Sequence, residues 1–520
     1  VALGRSRAVA LVGVHGHLVD VEADIAAGLP AFCMVGLPDA SLVEARDRVR
    51  AAASNTGCAL PMRRITVNLS PAGLPKAGTG FDLAVAAALL AASGQISGER
   101  AAGWVHVGEL GLDGRVRAVR GVLPAVVAAS DAGSPRVVVP AANAVEALLV
   151  PGVEVAPVRR LADVLALHRG ELTPAEARAL PPDPDEAGNR HVRPEPCAFS
   201  TGDLAEVIGQ PEARRALEVA AAGGHHIFLL GPPGAGKTML AARLCGLLPD
   251  LDDAQALEVT AIHSLAGTLD PGTGLMRRPP FEDPHHTATV VALVGGGSGL
   301  PRPGAASRAH RGVLFLDEAA EFHPAALEAL RQPLEHGELA IHRAHGSARF
   351  PARFQLVMAA NPCPCGRATG KGLDCTCTPA ARRRYLTRLS GPVLDRVDIQ
   401  VEVLPVSRAA MAAGDAGEPS SVVAGRVAAA RGLARARLAR TPWVCNGEVP
   451  GSWLRGQLRL PARVTTDLDR ALDRGQLSVR GYDRVLRLAW TEADLAGRDA
   501  PGREEIGRGL LLRQRGRVVT

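Results

Sequence analysis

The sequence predicts an open parallel α/β core, preceded by a separate α+β domain and followed by a small all-helical one. Three observations predict it. The apolar run His226-Ile227-Phe228-Leu229-Leu230 enters a glycine-rich turn that opens a helix. A second run, Val313-Leu314-Phe315-Leu316, ends in the paired acids Asp317 and Glu318. Over residues 1–170, short β-branched runs alternate with Ala-rich helical stretches.

The 520 residues are 47% hydrophobic and 22% charged, a globular composition with room for about three domains at roughly 100–200 residues each. Wholesale disorder is excluded. Aromatics are only 3%, so the cores are built from Ala, Val and Leu, and nucleic-acid binding on stacked aromatic platforms is disfavoured. The formal charge of +6 is compatible with a polyanion partner without establishing one. Among 59 Lys and Arg residues only Lys76, Lys237 and Lys371 are lysines, which singles out those positions against an arginine background. Nine cysteines, an odd number, and an opening apolar stretch at 9–14 too short for a signal sequence point to a reducing, cytoplasmic setting. No run of about 18 apolar residues marks a membrane span.

Along the chain, Ile65-Thr66-Val67-Asn68-Leu69, Trp104-Val105-His106-Val107 and Arg136-Val137-Val138-Val139 read as strands, and 82–93 and 122–132 as helices. Pro174, Pro181, Pro182, Pro184, Pro194 and Pro196, set among charged residues, make 171–199 a linker. The central block spans 200–405, with a helix at 212–222 ahead of the first apolar run. A Gly/Pro/Ser-rich break at 414–421 leads into Arg- and Leu-rich helical segments, so 406–520 reads as a helical lid. No internal repeat is visible.

Gly231-Pro232-Pro233-Gly234-Ala235-Gly236-Lys237-Thr238 is a P-loop between an apolar strand and an amphipathic helix. Its glycines let backbone N–H groups wrap the phosphates, Lys237 reaches the β- and γ-phosphates of ATP, and Thr238 ligates Mg²⁺. Asp317 and Glu318, at the C-terminal edge of a buried strand, are placed to hold Mg²⁺ and to polarise the attacking water. Leu356-Val357-Met358-Ala359-Ala360-Asn361 is a third apolar strand ending in an amide suited to orienting water. Arg396, following Ser390-Gly391-Pro392, is a candidate cation for the phosphate of a neighbouring subunit, as arginine fingers are, and Arg480 begins the last helical segment.

These residues carry a family resemblance over nearly the whole chain. The P-loop segment 224–241, Asp283-Pro284-His285-His286-Thr287, Leu293-Val294-Gly295-Gly296-Gly297, Leu330-Arg331-Gln332-Pro333-Leu334-Glu335 and Asn361-Pro362-Cys363-Pro364-Cys365-Gly366 resemble the YifB/ComM group of magnesium-chelatase-like AAA+ ATPases. The resemblance implies an AAA+ core of the helix-2-insert clade, with the insert at about 262–300, a hairpin at about 338–354 and a C-terminal lid. It implies Asn361 as sensor 1, Arg396 as a finger acting on a neighbouring subunit, Arg480 as sensor 2, and a homohexameric ring. It further implies an ATP-driven motor that promotes branch migration of DNA in natural transformation. One departure is Ala305, where the family's motif has glutamate.

In the front domain, Pro75-Lys76-Ala77-Gly78-Thr79-Gly80 and the stretch 108–116 resemble the proteolytic domain of Lon proteases. That chemistry needs a serine nucleophile and a lysine base. Gly80 stands at the serine position and Gly121-Val122-Leu123-Pro124-Ala125 holds no lysine, so the resemblance implies a Lon-like α+β fold without its Ser/Lys dyad.

Cys363, Cys365, Cys375 and Cys377 form two Cys-x-Cys pairs, a donor set for Zn²⁺ with free thiols and redox-linked pairs as the alternatives. Cys33, Cys58, Cys197, Cys245 and Cys445 are isolated. His285 and His286 have no cysteine or paired acid at ligand spacing, which disfavours a metal role, and are expected in a structural or DNA-near role. Arg277, Arg278, Arg302, Arg343 and Arg349 are candidate contacts to DNA, branched or single-stranded, indifferent to base sequence. The Arg-rich stretch 426–440 is a further candidate. The leading rival is a protein-remodelling ATPase like the magnesium chelatase ATPase subunit. An ATP-dependent protease is opposed by the missing dyad, and a non-enzymatic regulator by Glu318.

Overall fold

The computed structural model describes residues 2–76, 78–180, 202–297, 301–343, 346–368, 374–389, 391–414 and 417–514. Most of the linker stretch, together with Cys197 and Lys371, lies outside the described residues.

The front domain is one seven-stranded sheet built from β1 (Ala2–Val12), β2 (His15–Ala26), β3 (Ala31–Val35), β4 (Arg64–Ser70), β5 (Val105–His106), β8 (Arg136–Pro140) and β9 (Glu154–Val158), with a side hairpin of β6 (Glu109–Leu110) and β7 (Val116–Arg117). The order is β3-β4-β2-β1-β5-β8-β9, antiparallel across β4-β2-β1 and parallel from β1 to β9. The low aromatic content has a structural counterpart. Helix Asp82–Ala92 is buried along nearly its whole length and lies so close to β1 that a Cβ at Gly4 would sit 2.0 Å from the Ala88 carbonyl oxygen. Alanine side chains and one glycine let backbone approach backbone, so a dense core forms without large rings. Arg48 anchors the helix start by donating two hydrogen bonds to the buried Asp82 carboxylate, at 2.6 and 2.9 Å.

The expected linker begins later than its prolines indicate. Helix Pro174–Ala179 is closed by a capping box between Thr173 and Glu176, and Arg178 donates to the Val155 carbonyl of β9. Pro174 is the first residue of that helix, where a missing N–H costs nothing, so it starts structure rather than breaking it.

The central block is a five-stranded parallel sheet in the order β11-β14-β17-β10-β18: β10 (Ile227–Leu230), β11 (Phe281–Glu282), β14 (Val313–Leu316), β17 (Gln355–Ala360) and β18 (Ile399–Glu402). Every residue of β10, β14 and β17 is buried, as parallel strands covered on both faces require. The two faces separate by alternation. Ile227, Leu229, Val313, Phe315, Val357 and Ala359 join one apolar cluster; Phe228, Leu230, Leu314, Leu316, Leu356, Met358 and Ala360 join the other.

Two small excursions leave this sheet: β12 (Gly295–Gly296) paired with β13 (Arg302–Pro303), and the hairpin of β15 (Glu338–Arg343) and β16 (Gly346–Pro351). The insert expected at 262–300 is redrawn by the structure. Residues up to 266 complete helix Asp253–Ala266, and β11 is an edge strand of the main sheet. Leu293 still belongs to the core's apolar cluster, and the excursion proper is the β12–β13 pair.

Helix Asp253–Ala266 also carries the front domain. It packs against helix Val122–Asp131, Ala261 joins a front-domain apolar cluster, and Ser264 Oγ donates to Glu146. Downstream of 406 every element among the described residues is a helix. Helix Ser420–Arg437 nevertheless shares the core's apolar cluster through Val423, Val427 and Ala430. No helix among the described residues is long and apolar enough to cross a membrane.

Candidate nucleotide site

The register of the central sheet brings the site together. Leu230 lies opposite Ala360 and Glu402, and Leu316 opposite Met358, so Gly231, Asp317 and Asn361 all leave the sheet at its C-terminal edge, where ligands of open α/β sheets bind. The loop from Gly231 turns through Gly234 (φ 75°) and Gly236 (φ 90°) before helix Lys237–Leu247 starts. Both positions lie in the left-handed region that favours glycine, and the loop ends on a helix N-terminus, an anion-binding geometry.

Lys237 is buried and its ammonium donates to the carbonyls of Gly231 (2.8 Å) and Pro232 (2.9 Å) and to Asn361 Oδ1 (3.1 Å). Burial pulls its pKa below the ordinary lysine value, against the opposing pull of Asp317 and Glu318. Thr238 Oγ1 donates to Asp317 Oδ2 at 2.6 Å, and Asp317 Oδ1 accepts the Glu318 backbone N–H at 2.8 Å. A hydroxyl and a carboxylate oxygen facing each other from two elements are the donor types that Mg²⁺ takes beside substrate phosphates. Glu318 itself has φ 49°, a strained conformation for a residue with a side chain and one found at functional sites.

Asp283, so far only part of a family motif, and His286, expected in a structural or DNA-near role, also face this cleft. Asp283, just past β11, is pushed up to about 6 by burial and by the charge of Asp317. His286 Nδ1 lies 3.3 Å from Glu318 Oε2. Glu318 is 32 positions away from His286 in sequence and adjacent to it in space, because β11 and β14 are neighbouring parallel strands.

Arg396 and Arg480 form a second cluster. Arg396 is buried and ion-paired with Glu335 of helix Arg331–His336. Its backbone carbonyl accepts from Arg484 (2.7 Å), which also pairs with the buried Asp398 at 2.7 Å. Burial and the nearby cations Arg331, Arg480 and Arg484 lower the Arg396 pKa. Arg480 is exposed at the start of helix Val479–Leu495.

The four cysteines converge just beyond Asn361. Their sulfurs all lie within 4.8 Å of one another, with Cys363–Cys365 at 3.3 Å and Cys375 at 3.7 Å from each of these two. Four thiolates around Zn²⁺ at about 2.3 Å define a tetrahedron with an edge of about 3.8 Å. Disulfide sulfurs lie at about 2.05 Å. The donor set and its spacing therefore fit a closed Zn²⁺ site. Of the isolated cysteines, Cys245 and Cys445 are buried, whereas Cys33 is exposed.

A glycine loop on a helix N-terminus, a lysine bound to a neighbouring strand's amide and a Thr–Asp pair before a strained glutamate define an AAA+ P-loop ATPase. Comparison with known proteins supplies the family. Models of the magnesium chelatase subunit ChlI match residues 203–411 and 21–143, and that subunit's C-terminal model matches 417–513. The chain is 54% identical over 515 residues to an uncharacterized protein of Mycobacterium tuberculosis, covering 99% of each. It is 41% identical over 492 residues to the competence protein ComM of Haemophilus influenzae, covering 94% of this chain and 93% of ComM. It is 40% identical over 513 residues to YifB of Escherichia coli, covering 98% and 97%. The chain belongs to the ComM/YifB family of magnesium-chelatase-like AAA+ ATPases. The Lon-like character of the front domain agrees with 29% identity over 187 residues to Lon protease 2 of Bacillus subtilis, a match to 31% of this chain.

Proposed function

We propose that the chain is an ATP-hydrolysing motor that works as a homohexameric ring on branched or single-stranded DNA and promotes branch migration during natural transformation. The observation that carries the ring is the separation of the two clusters: Lys237, Thr238, Asp317, Glu318 and Asn361 share one cleft, while Arg396 sits with Arg480 and Glu335. A cation grouped apart from its own phosphate loop supports a part at a neighbour's site, as arginine fingers play.

In this reading Lys237 binds the β- and γ-phosphates, and Thr238 and Asp317 hold Mg²⁺, which neutralises phosphate charge when bound. Glu318 accepts a proton from the attacking water, Asn361 orients that water as sensor 1, Arg396 faces the γ-phosphate across the subunit boundary, and Arg480 is the sensor 2 arginine. The same reading places Zn²⁺ at Cys363, Cys365, Cys375 and Cys377.

DNA as the substrate is supported by the kinship to a competence protein and by the surface arginines. Arg277 pairs with Asp253, Arg278 with Asp250 and Arg349 with Glu338, all on exposed side chains, and Arg302 is exposed on β13. Exposed pairs are worth about 0–1 kcal/mol each, so phosphates displace these acids at little cost. A protein-remodelling ATPase is the second reading, favoured by the match of all three domains to magnesium chelatase models.

The experiment is strand movement in a dye-labelled four-way junction. The motor reading expects ATP-dependent strand separation that is lost in Lys237→Ala. Absence of movement on every DNA, with ATP turnover raised by a protein partner instead, selects the remodelling reading.

A further inference from the structure

The cysteine loop touches the nucleotide site directly. Cys363 follows Asn361 by two residues, and Asn361 receives the Lys237 ammonium. Three residues past Cys363, Gly366 lies against the P-loop: a Cβ there would come within 2.5 Å of Pro233 Cδ and 2.7 Å of Pro233 Cγ. Gly366 also has φ 73°, so space and backbone both favour glycine. On the far side, Cys377 leads through the Thr378 cap into helix Pro379–Thr387. Tyr385 of that helix is buried, and its hydroxyl meets the Asn361 backbone N–H.

Without a crosslink, two Cys-x-Cys loops of mostly small and polar residues bury little apolar area and hold no fixed shape. A tetrahedral metal joining them makes one rigid unit. That unit has three attachments: the strand end bearing Asn361, the P-loop at Pro233 and the helix that precedes the Arg396 segment.

We propose that Zn²⁺ bound by Cys363, Cys365, Cys375 and Cys377 is a clamp on the ATP site, holding the P-loop through the Gly366–Pro233 contact and Asn361 through the end of β17. This rests on the Zn²⁺ and ATP readings above. It adds that the metal sets the rigidity of residues 231–238 and hence the affinity for nucleotide.

The test is hydrogen exchange of P-loop amides in the full-length protein, read by mass spectrometry without nucleotide. Metal content is measured in parallel, with the β1–β2 hairpin as an internal folding control. Zn²⁺-loaded wild type is expected to exchange at residues 231–238 at least about fivefold more slowly than chelator-treated protein, with Zn²⁺ add-back restoring protection. Cys375→Ser is expected to lose metal and protection together. Gly366→Ala is expected to keep metal and lose protection, which separates the contact from the metal site, and to weaken binding of a fluorescent ATP analogue by a similar factor. P-loop exchange that does not respond to Zn²⁺, or a Gly366→Ala protein protected like wild type, overturns the clamp. Wild type that shows the Zn²⁺-dependent protection yet binds no nucleotide overturns the ATP reading and leaves the clamp standing. A native protein with no metal, and none taken up on addition, overturns the Zn²⁺ reading and the clamp with it.

Discussion

Thr238 and Asp317 lie 79 positions apart in the chain and meet at one hydrogen bond, Thr238 Oγ1 donating to Asp317 Oδ2 at 2.6 Å. One residue sits in the first turn of the helix after β10 and the other directly follows β14, with β17 between the two strands. Nothing local brings them together; the parallel register does. The proposed function puts Mg²⁺ at this pair, so Asp317→Asn is expected to raise the Mg²⁺ concentration needed for half-maximal ATP turnover by about tenfold or more, a loss of about 1.4 kcal/mol or more. Titration of turnover with Mg²⁺ at saturating ATP checks this. An unchanged requirement removes Asp317 from the metal site.

His286 restrains Glu318 across 3.3 Å, and Glu318 is already strained at φ 49°. His286→Ala is therefore expected to lower kcat by about three- to tenfold while leaving KM for ATP within about twofold, because the contact is to Glu318, the carboxylate proposed to activate water, rather than to the phosphate loop. His286→Asn, which can still donate a hydrogen bond, is expected to recover part of the difference. A change confined to KM assigns His286 to nucleotide binding instead.

The pairing of Arg396 with Glu335 leads to a complementation test. Arg396→Ala and Glu318→Gln are each expected to lose turnover by about 100-fold or more while still binding nucleotide. Mixed before assembly, the two inactive proteins are expected to regain turnover at boundaries where an intact Glu318 meets an intact Arg396. A mixture as inactive as its components shows that Arg396 does not act across a subunit boundary.

His106 and His168 give the front domain an acid limit. Their Nε2 atoms are 2.8 Å apart in the core, burial lowers both, and His168 is pulled from 6.5 to about 4. Between these two values the unfolded chain binds a proton that the folded domain does not. Stability is thus fully present above pH 6.5 and falls as pH drops toward 4, by up to about 3 kcal/mol. Thermal melts across that interval check the slope, and His168→Gln is expected to flatten it. An equally steep slope in the variant places the acid sensitivity elsewhere.

What was legible in the sequence was local. The glycine loop, the acids after Val313-Leu314-Phe315-Leu316 and the amide after Ala360 announce themselves because each strand and the polar residue closing it are contiguous. Helix 82–93 is found at Asp82–Ala92 for the same reason. Contacts made by sheet neighbours were not legible. His286 reaches Glu318 only because β11 and β14 pair, and β11 is a two-residue strand concealed behind Pro279 and Pro280. Pro174 read as linker because a proline at a helix start and a proline in a loop look alike until Thr173 and Glu176 are seen to close a capping box. The approach of helix Asp82–Ala92 to Gly4 depends on tertiary packing that no periodicity encodes.

Coupling of ATP turnover to DNA is tested most directly by the steady-state ATPase rate with and without forked or four-way DNA. Wild type is predicted to turn over faster by several-fold when either DNA is added, less so as salt rises, while Glu318→Gln binds ATP and stays inactive with or without DNA. A wild-type rate unmoved by every DNA structure at low salt, or a Glu318→Gln protein that hydrolyses ATP like wild type, would contradict it.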